Sequence, residues 1–375
     1  MMRNSLPSPC YLIDLPKLTA NLRLLSQVMQ ETGCKILLAQ KAFAAYALYP
    51  LIGEYLSGAA ASGLYEAKLS REELGKETHV FSPAYRADEI AEIAGAADHL
   101  IFNSMAQLAQ FGDVAAAGGC SIGLRINPQC STQSGPAIYD PCAAGSRLGI
   151  RREDFPALLP RFVEGLHFHT LCEQNADALI TTMAAVEEQF GDYLQQLKWL
   201  NMGGGHHITR PGYDVAALKR CIVHTQDKYG LQVYLEPGEA VALNAGYLQC
   251  QVLDIVYNQQ AIAILDTSAV CHMPDVLEMP YRPPLQNGAE WGDKAYAYRL
   301  AGPTCLAGDV IGDYAFDQPL QPGDRLVFED MAIYTMVKNN TFNGMALPAI
   351  ATLDEQGNCQ VIRSFGYADF KRRLS

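Results

Sequence analysis

Four residue types stand at the ends of apolar runs, where they could do chemistry: an amine, an imidazole, a glycine cluster and a carboxylate. Lys41 closes KILLAQK, His169 lies in FVEGLHFHT, Gly203, Gly204 and Gly205 follow KWLNM, and Glu236 ends LQVYLE. A lysine at a strand end in an enclosed mouth loses solvation and then its proton, which makes the amine nucleophilic enough to form a Schiff base. The apolar approach Ile36, Leu37, Leu38, Ala39 and the small followers Ala42, Ala44, Ala45 suit such a site; the plain alternative is a solvated rim lysine. Glycines without Cβ atoms let backbone N–H groups approach and cradle a phosphate, though read alone GGG is a flexible turn. Pro237 and Gly238 set a tight turn after Glu236 and leave its carboxylate on the rim, where it can keep a ring nitrogen protonated. His169 can lie flat on a planar ligand or sit satisfied in a core.

These residues need a scaffold that brings strand ends together. Eight short apolar runs begin at Lys35, Gly58, Thr78, His99, Ser121, Phe162, Lys198 and Leu231, separated by amphipathic stretches of helix length. That alternation predicts an α/β fold, a (β/α)8 TIM barrel, whose parallel strands are near-continuously apolar and whose chemistry sits at their C-terminal ends. Lys41, Ser62, Asn127, His167, His169, Asn201 and Glu236 all fall there. An open doubly wound sheet is the alternative. After Glu236 the texture becomes β-rich, in GYLQCQVLDIVY, QAIAILDTS, AYAYRLAG, DRLVFED and CQVIRSF, with turns such as QPGD and DEQGN. We therefore expect a barrel over 12–239 and a β-barrel or sandwich domain over 240–375. The first 11 residues either join the second domain or lead into the first barrel helix, LTANLRLLSQVMQET.

Composition narrows the partners. The 375 residues carry a formal charge of −12, which argues against nucleic acid and anionic membrane and suits a cationic small molecule. No apolar run is long enough to span a membrane or form a signal-peptide core, so a cytoplasmic location is expected. The eleven cysteines are scattered without zinc-like spacing, which reads as reduced thiols and no metal.

On the segments LLAQKAFA, HTLCEQ, MGGGHH, EPGEA, CHMPDVLEMPYRP, GPTCLAGD and MAIYTMVKNNTFNG, the chain resembles the fold-type III pyridoxal-phosphate decarboxylases. That group includes ornithine and diaminopimelate decarboxylase and shares its fold with alanine racemase; the resemblance runs through nearly the whole chain. Within the group, the segments are most similar to carboxynorspermidine and carboxyspermidine decarboxylases. The resemblance implies pyridoxal 5'-phosphate as cofactor, with Lys41 its covalent partner, His169 stacked on the ring and Arg125 on the other side. It further gives Gly204, Gly205 and Tyr334 to the phosphate and Glu236 to the pyridine nitrogen. Cys305 would enter from a neighbouring subunit of a homodimer, accompanied by Asp309 as a substrate-binding residue, and would donate the proton that replaces CO₂.

One departure bears on substrate. Ornithine and diaminopimelate decarboxylases carry arginine in EPGR, whereas this chain has Glu239 in EPGE. An anion there weakens phosphate binding but favours an ammonium, and Asp275 offers a second acidic contact along a polycationic chain. The expected reaction is decarboxylation of carboxynorspermidine to norspermidine and of carboxyspermidine to spermidine, in polyamine biosynthesis. Decarboxylation of diaminopimelate or another basic amino acid, racemisation and a non-catalytic cofactor carrier are the alternatives. His206, His207 and Arg210 are expected to cap the next helix.

Overall fold

The computed structural model describes residues 6–135 and 137–375. The chain folds as two compact units: one comprises Asn21–Lys41 and Ala45–Val241, and the other takes the chain through Ala20, the short piece Ala42–Ala44 and Ala242–Ser375.

The first unit is a closed parallel barrel. Its strands are Lys35–Ala39, Gly58–Ala61, Glu77–Phe81, His99–Phe102, Ser121–Asn127, Val163–His167, Trp199–Asn201 and Gln232–Leu235. They pair in sequence order, and the last pairs with the first through Tyr234 and Lys35. All eight apolar runs of the sequence become strands, which excludes the open sheet. The intervening helices bury one face each: in Ala176–Leu194 the buried positions Leu179, Met183, Val186, Phe190 and Leu194 recur at helical spacing. Their starts are capped by side chains that accept otherwise unpaired N–H groups, Ser104 from Gln107 and Asp214 from Ala217.

Two-residue periodicity decides what fills the barrel. Leu37, Phe81, Ile101, Trp199 and Tyr234 meet inside as one apolar layer. The Trp199 indole fits because the next two strands beside it carry glycine, Gly165 as its direct register partner and Gly123 beyond. A Cβ at Gly165 would lie 2.0 Å from the indole and one at Gly123 would lie 2.2 Å from it.

The second unit is a sheet of eight strands. Its path runs Val310–Phe316, Tyr296–Ala301, Gln260–Leu265, Gly246–Asn258, Cys10–Asp14, Ala349–Leu353 and Cys359–Arg363, with Arg325–Glu329 paired to Gly246–Asn258. The opening CYLID segment is thus a sheet strand, antiparallel to Gly246–Asn258 and parallel to Ala349–Leu353. Tyr11, Leu248, Leu265, Leu300, Tyr314 and Phe328 are among the residues of its core. Among the described residues no helix is long and apolar enough to cross a membrane.

The Trp199 packing yields a stability prediction. Gly165→Ala forces a methyl group into the indole, and we expect a loss of about 1–3 kcal/mol in urea unfolding, while an exposed glycine without close neighbours, Gly95→Ala, shows no comparable loss.

Candidate active site

Strand parity places Lys41 in line with Lys35 and Leu37, on the inward-facing row of the first strand. Its side chain is solvent-accessible by area and yet enclosed by protein, so it lines a recess in the barrel mouth and does not stand on a convex rim. The enclosure governs its chemistry: burial draws the ammonium below its ordinary pKa, Glu236 opposes this and Arg125 adds to it.

Glu236, 9% exposed, sits one residue past the last barrel strand. Its Oε1 accepts a 2.6 Å hydrogen bond from the Asn201 amide, and His167 Nε2 stands 3.6 Å from Oε2. Burial pushes this carboxyl up, but His167, His79 and the Asn201 amide outweigh it and bring it down to about 2. Burial also lowers His167, so the imidazole and carboxylate together hold one negative charge. Asn201 gives the carboxylate a short hydrogen bond, and Lys41 and Arg125 each feel its charge. Both His167 ring nitrogens are buried without a hydrogen bond, Nε2 having only the longer ion-pair contact to Glu236.

His169 Nδ1 accepts from the Gly204 N–H at 2.8 Å, which leaves the proton of the neutral ring on Nε2. Burial, with Lys41 and Arg125 nearby, holds His169 well below its ordinary pKa. Arg125 donates to the His169 carbonyl at 3.1 Å and lays its guanidinium 4.5 Å from the Phe81 ring centroid. Burial lowers Arg125 to about 10, against the pull of Glu236.

The glycine loop is needed for its missing side chains. A Cβ at Gly203 would stand 2.3 Å from the Phe168 carbonyl, at Gly204 2.4 Å from the Glu236 carbonyl, and at Gly205 2.0 Å from the Leu171 carbonyl. Gly203 and Gly205 also have positive φ, at 68° and 81°. Lys41, Arg125, His169, Gly204, Gly205 and Glu236 therefore share one end of the barrel. Glu239 follows at the start of the helix Glu239–Ala242, 3.4 Å from His207 Nε2.

The remaining residues singled out in the sequence belong to the sheet unit. Cys305 is exposed, and its N–H donates to Asn343 Oδ1 at 2.7 Å. Asp309 is 2% exposed and accepts from Ser268 Oγ at 2.8 Å, Ala269 N at 2.9 Å and Thr304 Oγ1 at 2.7 Å. Asp275 pairs with Lys338, which also reaches Glu278 at 3.0 Å. Tyr334 has φ of 51°, and its N–H donates to the Ala42 carbonyl at 2.9 Å.

Helix capping by His206, His207 and Arg210 is not what the structure shows. Asp214 caps Val215–Tyr229, while His206 and His207 are buried and the Arg210 N–H closes a turn onto the His207 carbonyl. The cap goes to the residue immediately before the helix, where the first free N–H groups are in reach. Sequence reading also missed Glu77, His79 and Tyr234 inside the barrel. The available signal was parity: Glu77 and His79 alternate with Thr78 and Val80 on the same inward row as Phe81.

The residues at this end fit a phosphorylated pyridine aldehyde: a desolvated amine, a low-lying carboxylate, a glycine cradle and orphaned imidazole nitrogens. Comparison with known proteins agrees. The family described as pyridoxal-dependent decarboxylase, C-terminal sheet domain, matches residues 10–332. The chain belongs to the pyridoxal-dependent decarboxylases, and its cofactor is pyridoxal phosphate. It is 45% identical to a carboxynorspermidine/carboxyspermidine decarboxylase of Campylobacter jejuni over all of both chains. It is 43% identical to a carboxyaminopropylagmatine decarboxylase of Synechocystis, over 99% of this chain and 96% of that one. The crystal structure of carboxynorspermidine decarboxylase complexed with norspermidine from Campylobacter jejuni superposes with a TM-score of 0.91 at 46% identity, covering 98% of this chain and 99% of that one.

The depressed Glu236 carboxyl ties stability to pH. A carboxylate held lower in the folded than in the unfolded chain contributes stability above its ordinary pKa of 4.5 and loses it as pH falls toward about 2. In Glu236→Gln, unfolding free energy measured over that range should fall less steeply with acid than in the parent protein; equal slopes would contradict a depressed carboxyl.

Proposed function

We propose that this enzyme removes the α-carboxylate of carboxynorspermidine and carboxyspermidine, yielding norspermidine and spermidine in polyamine biosynthesis. The observation that carries the reading is Glu239 in EPGE, an anion where the resembling amino-acid decarboxylases have a cation. It follows three residues after Glu236, among barrel residues whose chemistry fits pyridoxal phosphate. Similarity over full length to a decarboxylase of these two substrates supports it.

In this reading Lys41 holds the cofactor aldehyde, His169 and Arg125 flank the ring, and Tyr334 and the loop at Gly204 and Gly205 receive the phosphate. Because the Gly204 N–H is engaged by His169, Gly204 contributes space and not a donor. Glu236 stays ionised and keeps a proton on the pyridine nitrogen. Bound there, pyridoxal phosphate supplies a ring that accepts the electron pair of the broken C–C bond. The lowered proton affinity of Lys41 eases the loss of its proton, the state in which the amine would hold the cofactor aldehyde.

Glu239 and Asp275 hold the cationic tail, and Cys305, from the second subunit of a homodimer, returns a proton to the α-carbon. Asp309 is assigned with Cys305; its buried carboxylate secures the turn that carries the thiol, which we favour over direct contact with substrate. A cytoplasmic enzyme fits the eleven free cysteines.

Purified holoenzyme supplied with carboxynorspermidine, carboxyspermidine, carboxyaminopropylagmatine and diaminopimelate should release CO₂ and polyamine from the first two at the highest kcat/KM. Preference for either of the others, or no CO₂ from any, would overturn the assignment. Glu239→Ala and Asp275→Ala should each weaken tail binding by about 1–3 kcal/mol, read mainly in KM; unchanged KM in both removes them from the tail site.

Subunit sharing has its own test. Lys41→Ala and Cys305→Ala are each expected to be inactive, and mixed heterodimers should recover part of the activity. Verified heterodimers without recovery would place both residues in one subunit's site.

A further inference from the structure

Below the cofactor end, the barrel interior holds a chain of polar side chains to which no role is assigned above. Lys35 Nζ lies 2.7 Å from Glu77 Oε2, and the Tyr234 hydroxyl donates to Glu77 Oε1 at 2.7 Å. His79 Nε2 is 3.2 Å from the same Oε1, and His79 Nδ1 is 3.4 Å from the Asn201 amide nitrogen. That nitrogen also donates to Glu236 at 2.6 Å, while Asn201 Oδ1 accepts from the Gly203 N–H at 2.9 Å.

The donors and acceptors leave one consistent assignment. The Gly203 N–H fixes the Asn201 oxygen, so the Asn201 NH₂ faces the other way with two hydrogens to give. One goes to Glu236 and the other to His79 Nδ1, which must accept. A His79 that accepts at Nδ1 carries its proton on Nε2 and donates to Glu77. His79 and Asn201 are 1% and 0% exposed, so water cannot substitute for a lost partner. Glu77, His79 and His99 also have the donor set of a metal site. The Lys35 ammonium already supplies the cation against Glu77, and the His79 nitrogens are committed, so the cluster is explained without one.

We propose that His79 is a positioning residue for Glu236: seated on the Glu77–Lys35 pair, its imidazole holds the Asn201 amide in the orientation that donates to the carboxylate. The proposal rests on the reading of Glu236 as partner of the pyridine nitrogen. The charged and titratable groups around the two ends are known: Lys41, Arg125 and His167 face Glu236, and Glu77, His99, Tyr234 and Lys35 surround His79. Of these, only the His79 side reaches Glu236 through Asn201. An amide cannot pass a proton along, so the chain orients and does not conduct.

Loosening Asn201 lets the Glu236 carboxyl rise toward its ordinary pKa, so ionisation is lost at a higher pH on acidification. In His79→Phe we expect about tenfold weaker binding of pyridoxal 5'-phosphate to apoenzyme, measured by fluorescence titration, and an acid limb of the bound-cofactor absorbance about one pH unit higher. His79→Asn, which returns an acceptor at the δ position, should recover most of both. Asn201→Ala should reproduce the defect, and the double variant His79→Phe with Asn201→Ala should be no worse than the worse single. A folded His79→Phe with unchanged affinity and acid limb, or additive effects in the double variant, overturns the proposal. Should His79→Phe fail to fold, Glu77→Gln must raise the same limb, and an unmoved limb is equally fatal. Glu236→Gln with unchanged cofactor affinity and absorbance would instead overturn the reading of Glu236. In that event, additive His79 and Asn201 effects on thermal unfolding would overturn the positioning chain, and non-additive ones would uphold it.

Discussion

The site depends on keeping charge inside a barrel mouth. A carboxylate taken out of water reverts to its neutral acid unless donors and nearby cations hold it, and a buried ammonium tends to lose its proton. Here the two tendencies are managed separately. Glu236 receives a short bond from Asn201 and stays low, whereas Lys41 is desolvated beside the Arg125 cation and is drawn below its ordinary value. An acid kept ionised and an amine made easier to deprotonate, within one recess, are what this cofactor chemistry requires of a protein.

Space is the second constraint, and glycine supplies it at two levels. In the mouth, the Gly203–Gly205 loop lies so close to the Phe168, Glu236 and Leu171 carbonyls that side chains are excluded. Deeper in, Gly123 and Gly165 make room for Trp199, whose indole N–H donates to Ser121 Oγ at 2.9 Å. The floor of the barrel is thus filled by one large ring from one strand against empty positions on two others. That packing seats the polar row of Glu77, His79 and Tyr234 beside it, with the His79 and His99 rings stacked at 3.9 Å between centroids.

The substrate proposed for this chain turns on charge. Glu239 begins the helix Glu239–Ala242 in the barrel unit, and Asp275 belongs to the sheet unit; the preference proposed for a cationic substrate rests on the charge of these two residues. Asp275 is already paired with Lys338, so under the proposed assignment a cationic tail would compete with that ammonium. The same anions suit a guanidinium, which is consistent with the comparable identity to a carboxyaminopropylagmatine decarboxylase.

Much of this was legible in one dimension. Eight apolar runs at regular spacing specify the barrel, because strand and helix periodicities are local properties, and Lys41, His169 and Glu236 stand at predictable strand ends. The segments around Cys305 and Tyr334 were recognisable by resemblance. What sequence could not decide was which polar residues meet across the barrel. Glu77 and Tyr234 lie 157 residues apart and His79 and Asn201 lie 122 apart, and no local rule pairs them. Nor could it say that His169 occupies the Gly204 N–H, that Asp309 is buried behind its turn, or that Asp214 takes the cap expected of the histidines. Hydrogen bonds between distant segments form only once barrel closure sets strand register, so partner choice belongs to the tertiary structure, while residue type and strand position belong to the sequence.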